Sequence, residues 1–427
     1  MMNNLPEIRC DLLVIGSGMT GMAAALFAAN RGIDTVQVGL AGELGFASGF
    51  LDLLGVHPIE EGRLWNRPWD GIDALAKSCP RHPYARLDKK DMRVALSDFI
   101  SFLTANGLPY YAESDRNLKM ITPAGTIKTT YAVPVSVKNG VRAIAEKGSC
   151  LIADFHGLKG FSGRQIVETL KKTWPKLITK RISFPDATGE LLPEQVAFSI
   201  ERPDCRAQLT EAILPYLDGV DYVGLPAVLG LYRPMMVFND LQRRLERLLF
   251  EIPTMPPAIS GVRLKNIFEQ NLPLQGVRTH YQHKILSVDY RDSHVFRFDV
   301  GWEQPVLTIF SKGAILASGR FIGGGLAADR KQVREAIFGL PVHQPGNRSG
   351  WHRKSFLDPK GHPINRFGLV TDDNLRPLGN NGKPAIPNLF AAGSILANQD
   401  WIRQKCGAGL AITTAYAAVK AWVRLSA

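Results

Sequence analysis

Cysteine is scarce in this chain, and what there is stands alone. The 427 residues hold five, Cys10, Cys79, Cys150, Cys205 and Cys406, and no two form a C-x-x-C pair. That spacing excludes the usual iron–sulfur and zinc ligand sets, so no metal is expected; scattered free thiols suit a reducing compartment, where they pack as small apolar groups. Long apolar runs are missing too. None approaches the ~18 residues of a membrane span, and the polar start "MMNNLPEIRC" lacks the basic-then-apolar order of a signal peptide. Neither a transmembrane segment nor a signal peptide is therefore expected. Acidic charge is short: 51 Lys and Arg face 39 Asp and Glu, a formal net charge of +12. The excess is spread widely, with no arginine-rich tail and no nucleic-acid motif. That disfavours nucleic acid and leaves an anionic membrane surface, an acidic protein partner or an anionic small molecule. There is no internal repeat and no low-complexity segment.

What is present begins with "CDLLVIGSGMTGMAAALFAANRG", residues 10–32. Leu12 to Ile15 form a short continuous apolar run, the pattern of a strand buried on both faces. The alanine-rich stretch after Gly18 reads as a helix closed by Gly32, and "TVQV" at 35–38 as the next strand. This strand–turn–helix–strand order opens a parallel sheet. Within the turn, Gly16 permits the tight bend, Gly18 lets a phosphate approach the backbone, and Gly21 lets helix and strand pack closely; Ser17 and Thr20 lie between them. The helix N-terminus presents free N–H groups and the positive end of its dipole to that phosphate. An acid usually found at the end of the second strand, where it binds the adenosine ribose, is replaced by Gly39. A phosphate cradle without that clamp points to a mononucleotide, or to a dinucleotide held by the backbone alone.

The middle of the chain changes character from about residue 111. Strand-like pieces, prolines and two basic amphipathic helices are expected, around 163–174 and over "FNDLQRRLERLLF", 238–250, with Arg243, Arg244 and Arg247 on the solvated face. The Pro-rich 251–261 reads as a crossover linker, after which a helix over 262–272 and strands over 278–310 restore the α/β pattern. The expected fold class is α/β: a Rossmann-like nucleotide-binding domain with a parallel sheet, in two parts (1–110 and 256–427), interrupted by an inserted α+β cap or substrate domain (111–255).

Two later stretches narrow the cofactor. "GAILASGRFIGGG", 313–325, is a buried strand ending in Ser318 and Gly319, and it resembles the "ATGG" element of flavoproteins. "NLFAAGS", with Gly393 and Ser394, resembles the "GLYAAGE" element whose acid binds the ribityl chain. "CGAGLAITTAYAAVKAW", with Cys406, Gly407, Ala408 and Gly409, resembles the helix whose N-terminus faces the flavin N1–C2=O edge.

The whole plan resembles the fumarate-reductase-like flavoprotein superfamily. Within it, "FASGFLDLLG", "VGLPAVLGL", "FEIPTMPPAISGVRL" and "DWIRQKCGAG" look like the B-subunit family of anaerobic glycerol-3-phosphate dehydrogenase, over nearly the whole chain. That resemblance implies one half of a catalytic dimer oxidising sn-glycerol 3-phosphate to dihydroxyacetone phosphate. It implies FMN, with which Gly39 agrees and to which FAD is the alternative, a catalytic partner subunit, and a membrane-anchoring iron–sulfur subunit passing electrons to quinone, with fumarate or nitrate as final acceptor. It also implies a peripheral location, through the partner, on the cytoplasmic face of the inner membrane. Ser48 and Gly49 match the segment that approaches the flavin ring, where Ser48 would hydrogen-bond N5 or O4. The alternative is a stand-alone flavin-dependent oxidoreductase acting on another small anion.

Candidates for the chemistry itself are fewer. Cys406, just before a helix N-terminus, has a location that can favour thiolate. Gln404 and Asp400 share its loop. His352 and Arg353 suit a proton acceptor and a phosphate clamp. No compact constellation supplies both functions, so the catalytic base is left unassigned, and the chain is expected either to relay electrons or to complete a site formed mainly by its partner.

Overall fold

The computed structural model describes residues 5–40, 43–187, 189–290 and 295–426. The chain divides into two compact units. The first comprises Met1–Glu43, Asp52–Phe99 and Phe268–Ala427; the second comprises Leu44–Leu51 and Ile100–Ile267. The second unit thus extends beyond the 111–255 segment marked out by composition. Both units are mixed α/β and each contains parallel strand pairs.

In the first unit, β1 (Glu7–Ile15) is followed by the helix α1 (Met19–Ala29) and by β2 (Thr35–Gly39). Later segments add β3 (Arg278–Tyr281), β4 (Lys284–Asp289), β5 (Phe296–Gly301), β6 (Pro305–Leu316) and β7 (Leu389–Ala391). They form one seven-stranded sheet in the order β3-β2-β1-β6-β5-β4, with β7 paired to the end of β6. Pairings around β1 are parallel, whereas β5 runs antiparallel to both β6 and β4. Leu12, Leu13 and Val14 are wholly buried, which is why β1 reads as an unbroken apolar run instead of an alternation.

Register then decides where a ligand can sit. Ile15 lies opposite Leu316 and Val38, and Leu316 opposite Ala391. The C-terminal ends of these parallel strands therefore coincide, and the glycine-bearing loops leave the sheet along one edge, the usual ligand side of such sheets. The C-terminal helix α2 (Gly407–Ser426) packs on α1, with Phe27 and Tyr416 edge to face at 5.2 Å and Arg31 over the Tyr416 ring at 4.6 Å.

The second unit is built on a four-stranded parallel sheet, in the spatial order Leu248–Ile252, Tyr222–Pro226, Cys150–Phe155, Leu177–Ile182. Its structure corrects the helix expected over 238–250. The helix spans Pro234–Leu245 and stops at Glu246, which adopts a left-handed conformation (φ 52°); Leu248–Ile252 is a strand. Its leucines suit either element, and pairing with Tyr222–Pro226 decides for the strand. Arg243 and Arg244 do lie on an exposed face, as expected, and Arg247 is half-buried. Arg243 and Arg244 both bind Asp240, which also takes the nearly buried Arg206 at 2.6 Å. The helix near 163 is Gly163–Leu170, shorter than expected. The supposed linker contributes Glu251 to the core: its carboxylate is bound two-pronged by Arg263 at 2.8 and 2.9 Å.

Candidate functional site

The glycine-rich turn is assembled from four separate stretches of the first unit. Gly16 has φ +127°, and a Cβ placed there would lie 2.2 Å from the Ala317 carbonyl oxygen. Only glycine lets β1 end against the extension of β6. Gly21 faces the same turn from α1, since its Cβ would fall 2.0 Å from the Gly16 oxygen. Gly39 abuts it from β2: a Cβ would lie 2.6 Å from the Ser17 amide nitrogen. A ribose-binding acid is thus excluded here by close packing. Gly393 closes the fourth side, with φ +78° and a would-be Cβ 2.0 Å from Thr20 Oγ1, and its amide donates to Thr414 Oγ1 at 2.8 Å.

Gly18 is the N-cap of α1 in extended backbone, and no side chain caps that end. Two hydroxyls beside the turn are also unpaired. Ser17 is 4% and Ser318 9% exposed, and among the described residues neither Oγ has a hydrogen-bond partner. Burying a hydroxyl without a partner costs on the order of 1–3 kcal/mol, so two of them beside an uncapped helix N-terminus call for a polar ligand. A phosphate-bearing cofactor fits: it is anionic, rich in acceptor oxygens, and able to approach where the chain has no side chains. Gly319 (φ +69°) turns the chain away after Ser318, and Ser394 follows Gly393 half-buried in a short 3₁₀ turn.

The start of α2 is partly occupied by the protein itself. The Gly409 amide donates to the Asp52 carbonyl at 2.7 Å, and a Cβ on Gly409 would meet the Tyr84 hydroxyl at 2.6 Å. Gly407 and Ala408 begin the helix ahead of it. Cys406 is fully buried, and burial, reinforced by the charges of Asp52 and Asp400, pushes its thiol well above the usual value. The thiolate expected from its place in the sequence is therefore not favoured.

Gln404 is likewise a tie within the fold. Its Oε1 accepts from His82 Nε2 (3.2 Å) and from the Asp400 amide (2.9 Å), while its backbone oxygen takes the amides of Gly55 and Val56. His82, which the sequence did not single out, accepts the Tyr84 amide at Nδ1; burial drives its pKa down to about 3, against the bond to Gln404. It is a neutral ring with both nitrogens engaged. Asp400 is buried as the N-cap of Trp401–Gln404, with Oδ1 accepting from the Arg403 amide.

His352 and Arg353 are exposed; Arg353 donates from Nε to the Gly361 oxygen and from its amide to His362 Nδ1, and Gly361 itself lies against Arg403 and Asp400. Ser48 and Gly49 belong to the second unit. There Ser48 Oγ accepts the Phe50 amide, and the Gly49 carbonyl accepts from the Tyr110 hydroxyl at 2.7 Å. Among the described residues, no group of three or more His, Cys, Asp or Glu is placed to hold a metal, and no helix is long and apolar enough to cross a membrane.

Comparison with known proteins agrees with this geometry. Residues 11–410 match the family described as FAD binding domain, which covers the turn, the β6 loop and the start of α2. The chain is 29% identical to the B subunit of anaerobic glycerol-3-phosphate dehydrogenase from Vibrio cholerae, over 96% of this chain and 95% of that one. It is also 29% identical to the protein of the same name from Pectobacterium carotovorum, over 96% and 97% of the two chains. The resemblance seen in the sequence motifs is thus a resemblance of the whole chain. The preference for FMN gains no support, because the matching family is described by FAD. Among solved structures, a 3-ketosteroid Δ1-dehydrogenase from Sterolibacterium denitrificans aligns over 96% of this chain and 99% of its own, at 12% identity and a TM-score of 0.43, values too low to bear on function.

Proposed function

Because this chain belongs to the FAD binding domain family, we propose that it is the flavoprotein B subunit of an anaerobic sn-glycerol-3-phosphate dehydrogenase. It would act with a catalytic partner to oxidise glycerol 3-phosphate to dihydroxyacetone phosphate. An iron–sulfur subunit at the cytoplasmic face of the membrane would carry the electrons to quinone, with fumarate or nitrate as final acceptor. The observation that carries this reading is the similarity to the Vibrio cholerae protein over 96% of the chain, far more than the glycine-rich turn common to flavoproteins. On this reading the first unit is a Rossmann-like flavin-binding domain, and the second is a cap inserted into its sequence.

The flavin we propose is FAD, held largely by main-chain groups because Gly39 leaves no room for a ribose-binding acid. Gly16, Ser17, Gly18 and the first turn of α1, including Thr20, would hold its phosphates; Ser318 and Gly319 would border it; Gly393 and Ser394 would meet the ribityl chain. The free N-terminal groups at Gly407 and Ala408 would favour negative charge beside the ring. A bound flavin supplies the hydride acceptor for alcohol oxidation. The chain's own residues bind, orient and shield. Gln404, His82 and Tyr84 hold the loop leading into α2, and Cys406, buried and protonated, fills space.

The test is an artificial-acceptor assay with glycerol 3-phosphate on this chain alone, on the catalytic partner alone, and on the mixture, with flavin occupancy measured in each. Turnover restored only in the mixture is the expected result. Full turnover by this chain alone would replace the subunit reading with that of a stand-alone enzyme.

A further inference from the structure

The first unit contains a cavity of ≈ 400 Å³ whose lining includes Arg81, Arg353, Lys360 and Arg366 and, among the described residues, no carboxylate. Crowding like charges is unfavourable unless something anionic balances them. Among the described residues, Arg366 alone of the four has an ion partner, Glu60 at 3.3 Å on the exposed side. Lys360 and Arg81 form no ion pair among the described residues, and Asp358 accepts the Lys360 backbone amide, leaving the ammonium free of it. Arg353 spends its Nε on the Gly361 carbonyl, which leaves both terminal amino groups of the guanidinium for a ligand.

Hydrogen bonds at His362 tie one wall together. His362 accepts the Arg353 amide at Nδ1 and faces the Phe356 carbonyl through Nε2, so both ring nitrogens are engaged and the ring orients the arginine backbone. The positive charge acts on a neighbouring acid, Glu60. Burial pushes the Glu60 carboxyl up, yet its own backbone amide and the Arg366 and Arg353 charges outweigh that and hold it below its ordinary value.

The cavity is wired to the cofactor cradle. The Asn398 amide donates to the Arg366 carbonyl at 2.9 Å, and Leu369 pairs with Ile395 and Ala397 through backbone hydrogen bonds of 2.9 Å. Asn398 lies four residues after Ser394, so their Cα atoms are at most about 15 Å apart.

We propose that this cavity is a binding site for a phosphomonoester or phosphate dianion, gripped by Arg353 and Lys360 with Arg81 and Arg366 at its rim. Guanidinium forks match phosphate oxygens in pairs, and a lysine adds a point charge. The dianion has two sources: the phosphate of an organic phosphate substrate, or free inorganic phosphate. Naming glycerol 3-phosphate as the organic source rests on the proposed function; the charge of the cavity does not.

The experiment uses the full flavin-loaded chain at constant ionic strength. Inorganic phosphate, sn-glycerol 3-phosphate and glycerol are titrated by calorimetry into the wild type, into Arg353→Gln/Lys360→Gln, and into Lys172→Gln, an exposed control in the second unit. One phosphate per chain is expected, weakened about tenfold or more in the double variant and unchanged in the control. Glycerol 3-phosphate binding more tightly than phosphate assigns the site to substrate; equal affinity assigns it to free phosphate. No phosphate binding, or equal binding by wild type and double variant, overturns the proposal. Circular dichroism of the double variant guards against misfolding. Glycerol 3-phosphate oxidation by the complex is read separately. Normal turnover without phosphate binding would sink this inference and leave the function standing; binding without turnover would do the reverse.

Discussion

Gln37 reaches from β2 to the glycine-rich turn and donates a hydrogen bond from Nε2 to the Gly16 carbonyl, 3.0 Å away. The side chain is wholly buried, and its Oε1 accepts from the Tyr281 hydroxyl at 3.3 Å. Three strands thereby fix one carbonyl at the mouth of the cradle. Gln37→Met keeps the volume but strands that carbonyl, a loss of about 1–3 kcal/mol. Urea denaturation should show that loss, and flavin titration should show weaker binding. Gln37→Glu should be worse, because it sets a buried carboxylate against a carbonyl oxygen.

Gly16 and Gly18 should fail in different ways. A Cβ at Gly16 meets backbone at 2.2 Å, and its φ of +127° suits no other residue. Gly16→Ala should therefore lower the stability of the apo-protein itself. Gly18 has φ −76° in extended backbone, so Gly18→Val should fold. Its branched side chain would stand where the cofactor phosphate approaches. Near-wild-type melting with little retained flavin is the expected pair of readings, and full flavin occupancy in this variant would assign the turn a packing role only.

Ser17→Ala and Ser318→Ala should change sign with the cofactor. Each removes a buried hydroxyl that has no partner among the described residues, so the apo-protein should be unchanged or stabilised by up to about 1 kcal/mol. The loaded protein should lose affinity for flavin. Differential scanning calorimetry of both forms reads the two signs directly.

His82 makes stability depend on pH. Burial lowers its folded pKa to about 3, against an ordinary value of 6.5, so below pH 6.5 the unfolded chain takes up a proton that the folded ring refuses. Its contribution is complete above pH 6.5 and is lost as pH falls toward 3, with a limiting slope of about 1.4 kcal/mol per pH unit. His82→Gln, which cannot titrate, should flatten that part of the stability–pH curve. An unchanged slope would show that the imidazole protonates in place.

In the second unit, Glu251 and Arg263 are both buried and bound two-pronged, with Ser136 adding a hydrogen bond of 2.7 Å to the carboxylate. Removing one charge leaves the other buried and unpaired. Arg263→Met or Glu251→Gln should each cost about 3–5 kcal/mol, and the double variant Glu251→Gln/Arg263→Met should cost less than the sum. Chemical denaturation of the three variants tests this.

The local features of the fold were legible in the sequence. An unbroken apolar run, glycines at fixed spacing and a helix of small residues announce β1, the turn and α1, because strand burial and phosphate approach impose those residue types on neighbours in the chain. Leu245, Leu248 and Leu249 were ambiguous: they suit a helix stripe or a buried strand equally, and only pairing with Tyr222–Pro226, together with the left-handed Glu246, separated the two. Cys406 carried a local signal for thiolate that burial reversed. Tertiary structure alone decided the rest. Gly16 needs to be glycine because Ala317, 301 residues on, puts its carbonyl there. Arg81, Arg353, Lys360 and Arg366 were scattered cations in the sequence, where only Arg353 drew notice, and they share one cavity because the chain returns to the same place. Periodicity records what a residue's neighbours in sequence require; close approach and accumulated charge depend on neighbours in space.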